Sequence, residues 1–248
     1  MNGKIALITG GGKRRIGNAV AMALADRGYA LALHYHRSAD EAHATVAQLE
    51  RRGIQAAAFS ADLADPGQID RLFDDVLKRF GRLDALVTAA AVWEQKPLEQ
   101  LEADDLRRQW DVNTSGTFWC CRRAGLAMVR QPEGGAIVTI GDAAVARPGL
   151  NESAYLVSKG AIPAMTRALA VELAHRNPNV RVNCILPGPI LKPDDPATHD
   201  IQDTVAGTVL KRLGRPENVV EAAVFLLEND FVTGVCLPVD GGLAIGRS

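Results

Sequence analysis

The chain has 248 residues, 47% of them apolar and 23% charged, with a net charge of −1 and a pI near 6.5. That balance can fill a sizeable core and suits a single α/β domain over residues 1–248. It leaves no basic field for nucleic acid or an anionic membrane, and no apolar run reaches the ~18 residues of a membrane span. No nucleic acid and no membrane are expected as partners.

In chain order, "KIALITG" is a short buried strand ending in glycine, and "IGNAVAMALADRG" is a helix closed by Gly28. "YALALHYH" is a second strand. "SADEAHATVAQLERRG" is a helix with a capping box from Ser38 to Glu41 and a stop at Gly53. "IQAAAFSADL" is a third strand, and "PGQIDRLFDDVLKRFG" a helix with Pro66 in its first turn and Gly81 at its end. "LDALVTAAA" is a fourth strand, followed by helical stretches over 101–109 and 112–130. "GAIVTIG" is a fifth strand, 152–176 a long helix, and "VRVNCILPG" a sixth strand. "PENVVEAAVFLLEN" is a helix and "GVCLPVDGG" a last strand. The irregular segment 187–207, with four prolines, reads as a substrate lid or loop.

Strands that are apolar throughout and separated by helices imply a parallel sheet covered on both faces. The expected fold is a three-layer, Rossmann-like, doubly wound α/β sheet. "MNGKIALITG" is broken by glycine too soon for a signal peptide, so the cytoplasm is expected. Cys120, Cys121, Cys184 and Cys236 form no C-x-x-C pair. They read as reduced buried thiols, Cys120 and Cys121 on two faces of one helix, and no metal is expected.

The turn "TGGGKRRIGNAVA" stands between a strand and a helix, where glycines let the backbone approach a pyrophosphate seated on the helix N-terminus. Gly10, Lys13, Arg15 and Ile16 are the expected contacts, and Gly17 holds the last glycine position. A nicotinamide enzyme selective for NAD places an acid at the end of the second strand; this chain has His34, Tyr35, His36, Arg37 and Ser38. His36, Arg37 and Ser38, helped by Lys13 or Arg14, suit a 2′-phosphate, so NADP(H) is the expected cofactor. Asp62 and Leu63 after the third strand fit a contact to the adenine amino group.

Taken together, "TGGGKRRIG", "ADL" at 61–63, Asn113 in "DVNTSGTF", "YLVSK", "PGPI" at 187–190, "LGRPENV" and "VDGG" resemble the short-chain dehydrogenase/reductase family over essentially the whole chain. The resemblance implies a nicotinamide cofactor and a homotetramer or dimer. It makes Tyr155 the acid/base and Lys159 the ribose-binding residue that lowers the tyrosine pKa. Asn113 would support a water between the lysine and solvent. Ala90, Pro187, Gly188 and Ile190 would line the cofactor. Two positions depart from the pattern: "TAAAV" at 88–92 replaces N-N-A-G, and Lys192 replaces a threonine.

A third departure concerns chemistry. The family's catalytic serine falls thirteen residues before the tyrosine, where this chain has Asp142. A hydroxyl can donate to a ketone oxygen, but an ionised carboxylate only accepts. It opposes a developing oxyanion and favours a substrate with N–H donors or a protonated C=N bond. Ser153 reads as a helix-start residue rather than a displaced serine. The same exchange, Arg15 in the glycine turn and "HYHRS" resemble the pteridine reductase subgroup, which implies that Trp93 stacks on a pterin facing Arg15, Asp142 and Tyr155. The expected activity is NADPH-dependent reduction of a pterin or dihydrofolate-like ring. A carbonyl reductase or alcohol dehydrogenase, and a non-catalytic NADP-binding sensor, remain as alternatives.

Overall fold

The structure, a computed structural model, describes residues 3–13, 15–190 and 205–246. Its strands are β1 (Ile5–Thr9), β2 (Ala30–Tyr35), β3 (Ala56–Ser60), β4 (Ala85–Thr88), β5 (Gly135–Ile140), β6 (Val180–Pro187) and β7 (Cys236–Val239). They form one sheet in the order β3-β2-β1-β4-β5-β6-β7, with every neighbouring pair parallel. The helices are α1 (Ile16–Ala25), α2 (Ala39–Arg51), α3 (Pro66–Phe80), α4 (Ala103–Trp110), α5 (Thr117–Met128), α6 (Ser153–Arg176) and α7 (Pro216–Glu228).

Side chains alternate across each strand, so a strand covered on both faces must be apolar at every position. In β1, Ile5 and Leu7 enter one core while Ala6 and Ile8 enter the other. The first core takes Phe73 of α3, Met128 of α5 and Leu173 of α6. The second takes Leu24 of α1, Leu49 of α2 and Leu226 of α7. The three-layer, Rossmann-like α/β architecture is thus as the periodicity implies.

Local signals set both ends of α3. Asp65 caps α3 by accepting from the Gly67 and Gln68 amides, Pro66 opens the helix and Gly81 closes it at φ 78°. The capping box expected at Ser38 does not form: Ser38 starts α2 at ψ 53°, off the extended backbone of an N-cap, and its side chain makes no capping bond. The helical stretches 101–109 and 112–130 are not two separate helices either. A π-helical turn, Asp111–Gly116, joins α4 to α5. The extra residue that such a turn accommodates belongs to a segment pulled inward by the Asn113 side chain. Gly116 permits it, since a Cβ there would lie 2.5 Å from the Leu63 carbonyl oxygen.

Two readings of the cysteines are corrected. Cys120 and Cys121 both enter the same core. Cys236 is only half-buried, because β7 is the last strand of the sheet, and it faces Cys184 across β6–β7. Among the described residues no helix is long and apolar enough to cross a membrane. Arg14 and positions 191–204 of the expected lid, Lys192 included, lie outside the described residues.

Candidate active site

The strand order reverses between β1 and β4, which opens a crevice beyond their carboxyl ends. Gly10 follows β1 there at φ 67°, and a Cβ on it would lie 2.9 Å from the Ala90 Cα. Only glycine lets the turn lie this close to the chain leaving β4. The Ala90 amide donates to Thr9 Oγ1 at 3.2 Å. Lys13 and Arg15 are exposed; Arg15 precedes α1 in an extended conformation and Ile16 is its first residue.

The end of β2 carries exposed His36 and Arg37. His36 Nε2 lies 4.0 Å from Asp62 Oδ2, so the two predicted adenosine-side residues meet across β2 and β3. Asp62 Oδ1 accepts from the Ala64 amide at 3.0 Å, and Leu63 is buried. On the far side of the crevice the Gly188 amide donates to the Val239 carbonyl at 3.0 Å, with Pro187 and Ile190 buried beside it. A glycine turn at a helix N-terminus, the Arg37 guanidinium at the end of β2 and no acid from His34 to Ser38 fit a dinucleotide with a 2′-phosphate.

Four catalytic candidates gather at the ends of β4 and β5. Asn113 is buried; its Oδ1 accepts from the Val92 amide at 2.9 Å. Its Nδ2 donates to the Val92 carbonyl at 2.8 Å and to Ser158 Oγ at 3.0 Å. Ser158 Oγ in turn donates to the Tyr155 carbonyl at 2.6 Å. Lys159, on the same face of α6 as Tyr155, donates to the Ile140 carbonyl at 3.0 Å, and its Nζ is 6.0 Å from the tyrosine ring centroid. Burial lowers the Lys159 pKa, opposed by the Asp142 charge.

Asp142 uses its two oxygens differently. Oδ1 caps the short 3₁₀ turn Ala143–Val145 by accepting from the Ala144 amide at 2.8 Å. Oδ2 accepts from the Tyr155 hydroxyl at 2.7 Å. Burial first, then the Asp142 charge and hydrogen bond, push the Tyr155 pKa well above its ordinary value. The tyrosine hydroxyl is held here as a donor to the Asp142 carboxylate. Ser153 is the first residue of α6, away from the displaced-serine role.

Trp93 is 39% exposed, so it does not fill a core. Its indole nitrogen donates to Glu152 Oε1 at 3.4 Å, and Gln95 Nε2 donates to the same oxygen at 3.3 Å. Glu152 is buried one turn before Tyr155 and raises the tyrosine pKa further. Sequence reasoning assigned no role to Glu152, Ser158 or His34. Ser158 stood in the quoted "YLVSK", and His34 was a polar residue at an inward position of an apolar strand.

A family profile described as enoyl-(acyl carrier protein) reductase matches residues 11–244. The chain belongs to the short-chain dehydrogenase/reductase family. Among its relatives, a 3-oxoacyl-[acyl-carrier-protein] reductase from Bos taurus is 35% identical, over 95% of this chain and 96% of the relative. An L-rhamnose 1-dehydrogenase (NAD(P)(+)) from a Sphingomonas strain is 31% identical, over 99% and 98%. A solved blue fluorescent protein from a metagenomic library, in complex with NADPH, is 34% identical with a TM-score of 0.89, covering 98% of each chain. None of these three bears a pterin-reducing name.

Proposed function

We propose that this chain is an NADP(H)-dependent oxidoreductase that reduces a small carbonyl compound. The observation that carries it is the assembly of Tyr155, Lys159, Asn113 and Ser158 beside the glycine turn at the point where the strand order reverses. Gly10, Lys13, Arg15 and Ile16 would hold the pyrophosphate side of the cofactor. His36, Arg37 and Ser38 would hold its 2′-phosphate, with Asp62 and Leu63 by the adenine and Ala90, Pro187, Gly188 and Ile190 along the crevice. When bound, the nicotinamide supplies the hydride. Tyr155 supplies the proton; burial and the Asp142 charge, which raise its pKa, keep the phenol protonated at neutral pH and also oppose that release. The carbonyl substrate is supported by an oxoacyl reductase and a sugar dehydrogenase among the relatives.

A second reading rests on one contact, the Tyr155 hydroxyl on Asp142. A carboxylate in that place suits a protonatable C=N bond in a flat heterocycle such as a pterin, with Trp93 as its stacking face and Arg15 and Asp142 at its edge. NADPH oxidation by the purified protein separates the readings. Turnover of 3-oxoacyl thioesters or simple ketones, with none of biopterin or dihydrofolate, supports the first. The reverse pattern supports the second, and NADPH binding without any turnover would overturn both in favour of a sensor. A cytoplasmic homotetramer belongs to the same proposal; exposed Trp110, Phe118, Phe225 and Phe231 are apolar surface that assembly would cover.

A further inference from the structure

His34 is buried near the carboxyl end of β2, between β3 and β1, and is the one polar side chain in the fully buried part of that strand. Its ring bridges two places that matter to a dinucleotide. Nδ1 lies 3.1 Å from the Gly10 amide nitrogen, and Nε2 lies 3.0 Å from the Ala61 carbonyl oxygen. A carbonyl only accepts, so Nε2 carries the hydrogen; an amide only donates, so Nδ1 is bare. Both contacts demand the same neutral tautomer. Burial favours it as well, lowering the His34 pKa to about 4.

Gly10 is the left-handed residue with which the glycine turn leaves β1. Ala61 precedes Asp62, which faces His36 at the adenosine end. A second fastener, Asn18, donates to the Gly11 carbonyl at 3.2 Å and to Thr45 of α2 at 3.1 Å. The turn is therefore tied from two sides, and only the His34 tie reaches the residue whose φ is positive.

We infer that His34 is a positioning residue for the cofactor: its bare Nδ1 fixes the Gly10 amide, so that the glycine turn is set before NADP(H) arrives. This rests on the NADP(H) reading above. An acceptor inside the strand spares the ligand the cost of ordering that peptide on binding. A packing role alone would not need a ring nitrogen facing Gly10.

Two substitutions divide the ring's functions. In His34→Asn the amide oxygen stands near the Nδ1 position and keeps the bond to Gly10, while the reach to Ala61 is lost. In His34→Gln the amide nitrogen reaches Ala61 and the Gly10 amide loses its acceptor. The dissociation constant for NADPH is read from nicotinamide fluorescence, and the melting temperature is read separately. The Asn variant is expected to bind NADPH within about threefold of wild type and the Gln variant about tenfold more weakly, the effect of one hydrogen bond, although both lose melting temperature. Equal dissociation constants in all three proteins, or losses that track melting temperature in both variants, would overturn the inference alone. A wild type that binds no NADPH would overturn the cofactor reading and this inference together. Should a variant fail to fold, ¹⁵N imidazole spectra of the wild type decide: His34 is expected neutral with its hydrogen on Nε2, and an Nδ1–H tautomer would overturn the inference.

Discussion

Replacing Asp142 by serine isolates the contact that sets this site apart from the family pattern. In the structure Asp142 Oδ2 accepts the Tyr155 proton at 2.7 Å. Once the tyrosine has passed that proton to a ketone oxygen, a phenolate faces a carboxylate and the contact becomes repulsive. Two unit charges about 4 Å apart interact by about 4 kcal/mol at the effective dielectric of a protein surface. Asp142 is only partly buried and the Lys159 ammonium lies 6.0 Å from the tyrosine ring, so screening is substantial. Roughly half the repulsion, about 2 kcal/mol, is left to oppose proton release. Serine removes it and adds a donor for the substrate oxygen while still able to cap the Ala144 turn. The expected result is a rise of about 30-fold in kcat on a neutral ketone, since ~1.4 kcal/mol is tenfold in rate. The KM for NADPH should be unchanged, and any pterin turnover should fall sharply. Asp142→Asn, which removes the charge and adds no hydroxyl, should fall between the two. Initial rates of NADPH oxidation read all of this. A ketone rate that is unchanged or lower in Asp142→Ser would refute the claim that the carboxylate opposes proton release.

Two further outcomes concern stability. His34 has a folded-state pKa of about 4 against 6.5 in the unfolded chain. Because the unfolded state binds the extra proton, stability is fully present above pH 6.5 and is lost as pH falls toward 4. By about pH 5 the loss is about 2 kcal/mol, and His34→Gln should lack that component when urea unfolding is compared at neutral pH and about pH 5. Arg181 holds the end of α7 by donating to the Leu226, Leu227 and Val232 carbonyls at 2.8, 2.7 and 3.2 Å. Arg181→Met should cost about 3 kcal/mol, net of the arginine's own desolvation, and lower Tm by about 6 °C at ~2.1 cal/mol/K per residue. Calorimetry checks it, and a fall of less than about 2 °C would show that water replaces those bonds.

Some of the site was legible because its signals are local. Tyr155 and Lys159 are four apart on one helix, so their common face follows from helical geometry alone. Gly10 stands where a strand must turn into a helix, and the lack of an acid from His34 to Ser38 needs no fold to be seen. The capping box at Ser38 failed for the opposite reason. A motif names the residue types, but the backbone angle that aims the hydroxyl depends on how β2 delivers the chain to α2.

What the sequence determined by itself is the alternation of strands and helices, and with it the doubly wound sheet, because apolar periodicity is a property of neighbouring residues. Asp142 as the odd residue of the site was equally plain from its type. Only the tertiary structure decided what these groups do to one another. Asp142 could be a cap or a partner of Tyr155 until its two oxygens were seen to serve both. Asn113 meets Val92 21 residues away, and Trp93 meets Glu152 across 59. His34 reaches Gly10 and Ala61, 24 and 27 residues off in opposite directions. Contacts at such separations are set by which strands lie side by side, and burial then decides which proton each group keeps.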